Sequence, residues 1–308
     1  MEIHTCLWNE VAAFDFADPD LLPLANQFPD HKIVAHSSVD AFLASAASAD
    51  YLLTWEFQPH WYQACKKLKA VFTPAAGDDW VVPDPTGKVE LVHGTFHGPI
   101  LAESLLSAIL YMNHAMPAMI GNFSRRQWDR DLQQDCRLLS NQTVLLIGLG
   151  HIGSICARYI KPLCKRVIGI KRNPQELLMP LPGIDVYGTT EIDALLGQAD
   201  HVVVLLPGTA DNDRTLDAAR LLHCKAGAFI YNFGRGNAIA TKDLLAAKHH
   251  LGGAFLDVVD EEPLPATSPL WDWDKVMVTP HSSCVYKDYK TRFIEEVTAS
   301  LRDRIMRC

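Results

Sequence analysis

The chain has 308 residues, enough for two domains of ordinary size. Its 48% hydrophobic and 21% charged residues are those of a globular protein, and a net charge of −8 without any basic block excludes a nucleic-acid-binding surface. No apolar stretch reaches membrane-span length, and Met1-Glu2-Ile3-His4 carries no signal-peptide pattern. The eight cysteines are scattered without a CxxC pair. They read as reduced thiols of a cytoplasmic protein, not as a disulfide framework or a zinc site.

Over the first hundred residues, short apolar runs alternate with helical patterns. Residues 3–7, 32–35, 51–54, 69–72 and 89–92 predict strands, and 21–27, 39–45 and 60–67 predict helices. This alternation predicts a parallel sheet covered on both faces. Ligands of such sheets meet the carboxyl ends of the strands. Two loops therefore matter, Thr54-Trp55-Glu56-Phe57 and the glycine-containing 73–80, which includes Ala76 and Gly77. His93 and His97 have a spacing that suits one helical face or a metal pair. Gly94 and Gly98-Pro99 argue against a helix there, and no third ligand is near, so the segment reads as an interdomain hinge and no metal site is expected. A long helix is expected from Ile100 to about Ala118. The polar stretch 122–135 is either an exposed arm or a surface used by a second subunit.

The most informative stretch follows. Val144–Ile147 is apolar throughout, as a strand buried on both faces requires. Gly148-Leu149-Gly150-His151-Ile152-Gly153 comes next, opening a helical pattern, and a second apolar run covers 166–170. The first glycine permits a tight turn, the second lets a pyrophosphate approach the backbone, and the third lets helix and strand pack closely. With strand, helix and second strand in place, the unit predicts dinucleotide binding. An acidic residue at the end of the second strand would select NAD. Lys171, Arg172 and Asn173 stand there instead, and a cation pair suits a 2′-phosphate. NADP(H) is therefore the expected cofactor, with NAD(H) as the alternative.

The β–α alternation then continues. Strands are expected at 185–187, 201–206, 228–232, 253–258 and 276–278. Thr190-Glu191-Ile192-Asp193 reads as a capping box, and Thr241 as the N-cap of a helix over 241–250. Arg235, Glu262 and His281 stand just past the ends of consecutive predicted strands, which in a parallel sheet form one rim. An Arg there can grip a carboxylate with two hydrogen bonds. A His with a carboxylate partner can hand a proton to a carbonyl oxygen as hydride reaches the carbon. Reduction of a 2-oxo acid needs these roles and no metal.

These residues lie in GLGHIG, LLPGT (205–209), NFGRG (232–236), LDVVDEEPLP (256–265) and SPLWDWDKVMVTPH (268–281). In their order and spacing the chain resembles the D-isomer-specific 2-hydroxyacid dehydrogenases, especially their glyoxylate/hydroxypyruvate reductase branch. The resemblance implies an α/β fold of two Rossmann/flavodoxin-like domains with parallel sheets and a cofactor cleft between them. A substrate-binding lid domain would comprise 1–98 plus 284–308, and an NAD(P)-binding Rossmann domain 99–283. It implies a homodimer, with a small 2-oxo acid/2-hydroxy acid as substrate. Arg235 would bind the substrate carboxylate, Glu262 would partner the catalytic histidine, and His281 would be the acid–base residue. Backbone amides around Trp55, Glu56, Ala76 and Gly77 would contact substrate. Leu206, Pro207, Phe233, Gly234 and Asp257 join the glycine motif and Lys171–Asn173 as the expected cofactor-binding set, Asp257 being structural or cofactor-adjacent.

Departures from the family pattern are Phe233-Gly234, Val259 in place of an aromatic, and Ser282-Ser283-Cys284-Val285 after the histidine. They leave the reaction type standing and bear on the substrate. The reading from a different class is a non-enzymatic NAD(P)-sensing binding protein, corepressor-like, on the same fold.

Overall fold

A computed structural model describes residues 1–77, 79–134 and 136–306. Asp78 of the second loop, Asp135 of the polar stretch, and residues 307–308 at the end of the tail lie outside the described residues. The chain forms two compact units, Met1–His97 with Val285–Cys308, and Gly98–Cys284.

The first unit opens with β1 (Glu2–Cys6), α1 (Asp18–Gln27), β2 (Lys32–Ala35), α2 (Val39–Leu43), β3 (Tyr51–Thr54), β4 (Ala70–Thr73) and β5 (Glu90–His93). The strands form one sheet in the order β2-β1-β3-β4-β5, every pairing parallel. Its middle strands β3 and β4 are buried from end to end, which is why their residues are continuously apolar apart from the closing threonines. The helix expected over 60–67 is instead a 3-10 turn, Pro59–Ala64, and none of its residues is buried. Helices in proteins draw most of their stability from a packed apolar face. This segment lays Trp61, Tyr62 and Ala64, all partly exposed, on the rim of the core around Phe57.

The second unit begins one residue into α3 (His97–Asn113), which is followed by α4 (Met116–Ser124). Two expectations change here. A helix does start at His97, because Pro99 falls in its first turn, where a missing N–H is no loss. The single helix to Ala118 is two helices, broken at Ala115 in left-handed backbone with φ 51°. Pro117 has no N–H to give the Asn113 carbonyl four residues back. That carbonyl takes the amide of Arg137 instead, at 2.8 Å.

Then come β6 (Thr143–Ile147), α5 (His151–Ile160), β7 (Arg166–Ile170), β8 (Asp185–Tyr187), α6 (Ile192–Leu196), β9 (His201–Val204), α7 (Ala218–His223), β10 (Phe229–Asn232), α8 (Thr241–Ala247), β11 (Gly253–Leu256) and β12 (Val276–Val278). All seven strands are parallel, in the order β12-β11-β10-β9-β6-β7-β8. The chain winds out one way from β6 through β8 and the other way from β9 through β12, which is the doubly wound arrangement. Successive residues of β6 feed opposite cores: Leu145 and Ile147 pack on one face, Val144 and Leu146 on the other.

Both predicted caps differ. Thr189–Glu191 is a 3-10 turn leading into α6, without a side-chain cap. Thr241 is the first residue of α8, not its N-cap. Its amide and hydroxyl both donate to the Asp260 carboxylate, at 2.9 and 2.5 Å. An acidic group from the loop after β11 thus supplies the cap. The chain ends in α9 (Tyr289–Met306), which completes the first unit by packing Phe293, Ile294, Val297 and Leu301 into the core shared with α1. Among the described residues, no helix is long and apolar enough to cross a membrane.

Candidate active site

The glycine-rich turn joins β6 to α5 in the middle of the second sheet. Gly148 has φ 113°, and a Cβ there would stand 2.7 Å from the Leu205 carbonyl oxygen, so only glycine fits. A Cβ on Gly153 would lie 2.0 Å from the Gly148 oxygen. Gly150 is different, with nothing within 4 Å of the missing Cβ. It is the N-cap of α5 and offers no side chain to cap the helix. Open space at an uncapped helix N-terminus suits a pyrophosphate, which amide N–H groups and the helix dipole favour. His151 is exposed here and Ile152 half-buried.

At the end of β7 the Lys171 ammonium donates to the Leu149 carbonyl at 3.3 Å, which ties it to the turn. Arg172 is 73% exposed and lies 3.6 Å from the equally exposed Asp211. Such a solvated pair is worth little, so the guanidinium can exchange Asp211 for a phosphate. Asn173 donates to Glu176 at 3.2 Å. Leu206 and Pro207 follow β9, where the Asn212 side chain donates to the Pro207 carbonyl at 2.9 Å.

Arg235, Glu262 and His281 follow β10, β11 and β12, which are neighbours in the sheet, so the three come together on one rim. The loop carrying Arg235 is closed by Asn232. Its side-chain oxygen accepts from the Gly234 amide at 3.2 Å, and its nitrogen donates to the Arg235 carbonyl at 3.0 Å. The Arg235 guanidinium donates to the Gly234 carbonyl at 2.9 Å. Phe233 is buried and stacks flat on Phe255, with ring planes 8° apart. It packs in the core under the loop, with Gly234 against the Leu206 backbone.

His281 Nδ1 lies 2.9 Å from Glu262 Oε2. The other Glu262 oxygen accepts the Val259 amide at 3.1 Å, which holds the carboxylate in place. A ring nitrogen committed to a carboxylate fixes which nitrogen remains for a ligand, here Nε2. The backbone of His281 is left-handed, φ 49°, and its amide is held by the carbonyls of Asp257 and Thr279, both at 2.9 Å. Such a conformation persists only where its surroundings impose it.

Asp257 imposes it. Its side chain, in a residue only 2% exposed, accepts from the Thr279 hydroxyl at 2.6 Å and from the amides of Ser282 and Ser283 at 2.9 and 3.0 Å. Both carboxylate oxygens therefore face the histidine loop. The sequence left Asp257 as structural or cofactor-adjacent; in the structure its side chain organises the turn that presents His281. Asn232 and Thr279 are the residues sequence reasoning passed over. Their only signal is an Asn or a Thr at a strand end before a turn. Cys284 closes the loop, its thiol pushed up to about 12, chiefly by burial.

The expected substrate loops lie in the first unit, after β3 and β4. Trp55 is buried, donating from its indole to the Phe14 carbonyl at 3.0 Å. The amide of Glu56 donates to the Thr54 hydroxyl at 3.3 Å and that of Phe57 to the Trp80 carbonyl at 3.0 Å. Those two amides already serve the fold, which removes them as substrate donors in this conformation. Ala76 is exposed and Gly77 half-buried, and no described residue hydrogen-bonds either amide. His97 is buried with its ring nitrogens against the Gly94 carbonyl (3.1 Å) and the Tyr289 hydroxyl (3.2 Å).

Residues 106–283 match the family model described as "D-isomer specific 2-hydroxyacid dehydrogenase, NAD binding domain". The glyoxylate/hydroxypyruvate reductase A of Salmonella typhi is 29% identical over 271 residues, covering 81% of this chain and 83% of that one. An NADPH-dependent glyoxylate/hydroxypyruvate reductase from Sinorhizobium meliloti, solved with NADP and sulfate, superposes with a TM-score of 0.80 at 26% identity, covering 98% of this chain and 95% of that one. The fold is shared with the "Probable 2-hydroxyacid dehydrogenase" from Rhizobium etli solved with NADP, HEPES and L(+)-tartaric acid, at TM-score 0.82, 23% identity and coverage of 99% and 94%.

Proposed function

The chain belongs to the D-isomer-specific 2-hydroxyacid dehydrogenase family, and on that premise we propose that it reduces a small 2-oxo acid of the glyoxylate/hydroxypyruvate class to the D-2-hydroxy acid with NADPH. The observation that carries this reading is the Glu262–His281 pair, 2.9 Å apart, on the same rim as Arg235. The bound nicotinamide supplies the hydride. His281, held through Nδ1 by Glu262, presents Nε2 to the substrate oxygen and delivers the proton. Arg235 takes the substrate carboxylate in a two-pronged grip and polarises the neighbouring carbonyl.

The residues present fit the dinucleotide. The space beside Gly150 receives the pyrophosphate. Lys171 and Arg172 take the 2′-phosphate, which makes NADPH the better cofactor and leaves NADH usable. The second unit serves as the NAD(P)-binding domain and the first as the substrate domain, with Ala76 and Gly77 amides available to the acid. The protein works as a cytoplasmic homodimer, a reading supported by free thiols at every described cysteine. Exposed Phe123 and Trp128, at 83% and 88%, support the second subunit.

The test is NADPH absorbance against time over a panel of 2-oxo acids. Turnover with glyoxylate or hydroxypyruvate is the expected result. Tight NADPH binding with no turnover on any acid would overturn the assignment.

A further inference from the structure

We propose that the first unit carries a second binding site, a cavity that takes a small organic ammonium ion with a short apolar body. The cavity measures about 380 Å³ and opens at the carboxyl ends of β1 and β2, between the loops that follow them. That is the end of an open parallel sheet at which ligands gather.

Its floor is the Thr5 side chain. Thr5 shares a strand face with Ile3 and Leu7, which pack into the core under α1. The residue is 2% exposed, lines the cavity, and its hydroxyl has no hydrogen-bond partner among the described residues. The hydroxyl is therefore open to a hydrogen bond from a ligand that enters the cavity. Phe16 and Leu21 provide an apolar wall.

The charge of the lining is one-sided. Asp15 and Asp18 both contribute. Asp15 accepts one amide, from Asn9 at 3.2 Å, and among the described residues the Asp18 carboxylate accepts no hydrogen bond. The nearby cation, Lys290, is not in the lining. It donates to the Asp15 carbonyl and to the Asp20 carboxylate. His36, the remaining titratable group of the lining, has its pKa lowered by burial and then by the neighbouring His4 ring, so it adds no positive charge near neutrality. Trp8 stands at the mouth, 60% exposed, with an indole free to cover a cation. Two carboxylates, an aromatic face, an unpartnered hydroxyl and an apolar wall together describe a primary amine. The same charge repels carboxylic acids, so this is not a second place for the substrate proposed above.

The test is calorimetric titration of the full chain with benzylammonium, with benzyl alcohol as the uncharged isostere. Saturable binding of the amine is expected, weaker by about tenfold or more for the alcohol and for the Asp15→Asn/Asp18→Asn variant. Asn retains the oxygen that accepts the Asn9 amide, and an unchanged circular dichroism melt verifies the fold. Should that variant unfold, Trp8→Ala alters only an exposed side chain and is expected to weaken the amine by several-fold. Equal binding of the alcohol, undiminished binding by the folded double variant, or absence of saturable binding each overturns the proposal. None of these outcomes depends on the reductase assay.

Discussion

Replacing Asp257 by Ala isolates what the histidine loop depends on. The substitution leaves the Thr279 hydroxyl and the Ser282 and Ser283 amides without their acceptor. Each orphaned donor costs about 1–3 kcal/mol when it is withheld from water. The hydroxyl can rotate towards another acceptor and the serines are only half-buried, so the lower part of that range applies, about 2–4 kcal/mol in all. If this energy holds the loop shut, amide exchange at Ser282 and Ser283 should quicken by about 30- to 800-fold. Asp257→Asn keeps an oxygen for two of the donors and turns an N–H on the third, so its effect should be intermediate. Hydrogen exchange measured on a peptide covering 279–284 reads the loop directly. Because the same turn presents His281, kcat should fall in the same order, by about a hundredfold for Ala. Unchanged exchange in Asp257→Ala would show that the carboxylate does not hold the loop. A full loss of kcat in Asp257→Asn without faster exchange would instead place the carboxylate against a ligand.

Replacing His281 by Asn removes the proton donor, and kcat should fall by about 10²- to 10⁴-fold while the NADPH Kd, measured by fluorescence titration, stays put; lost NADPH binding would refute the role. Changing Lys171 and Arg172 together to Asp and Ser should raise the KM for NADPH by about 10- to 100-fold and favour NADH, and an unchanged cofactor preference would end the 2′-phosphate reading. His201 is buried between the Tyr231 hydroxyl (2.9 Å) and the Gln142 side-chain oxygen Oε1 (3.0 Å), and burial pushes its imidazole down to about 3. In the unfolded chain it titrates near 6.5, so between these values the folded state binds fewer protons. The stabilisation is complete above pH 6.5 and is lost as pH falls towards 3, at up to about 1.4 kcal/mol per pH unit. His201→Gln should flatten that acid slope in urea midpoints recorded against pH, and parallel slopes would exclude His201 as its source. Phe123→Ser should shift the sedimentation of a dimer towards the monomer; no shift would exclude this face from the interface.

The second unit's frame and the chemistry on its rim can be read from residue order. Runs such as Val144–Ile147 are apolar without a break, so they require cover on both faces, and a parallel sheet follows. Once strands are parallel, whatever follows each of them lies at one edge, which brings Arg235, Glu262 and His281 to the same rim from sequence position alone. The glycine turn was legible for a similar reason, since the backbone conformation at Gly148 and the close approach at Gly153 exclude any other residue. Partners far apart in the chain could not be read that way. Asp257 meets Thr279 and Ser282 across 22 and 25 residues, and Asp260 caps α8 from beyond β11. The Phe57 amide goes to Trp80 instead of to a ligand. The Asn113 carbonyl, released by Pro117, finds Arg137. A local pattern records which groups need a hydrogen bond. Which group supplies it depends on how the loops come to lie beside one another, and that is settled only when the sheet has formed.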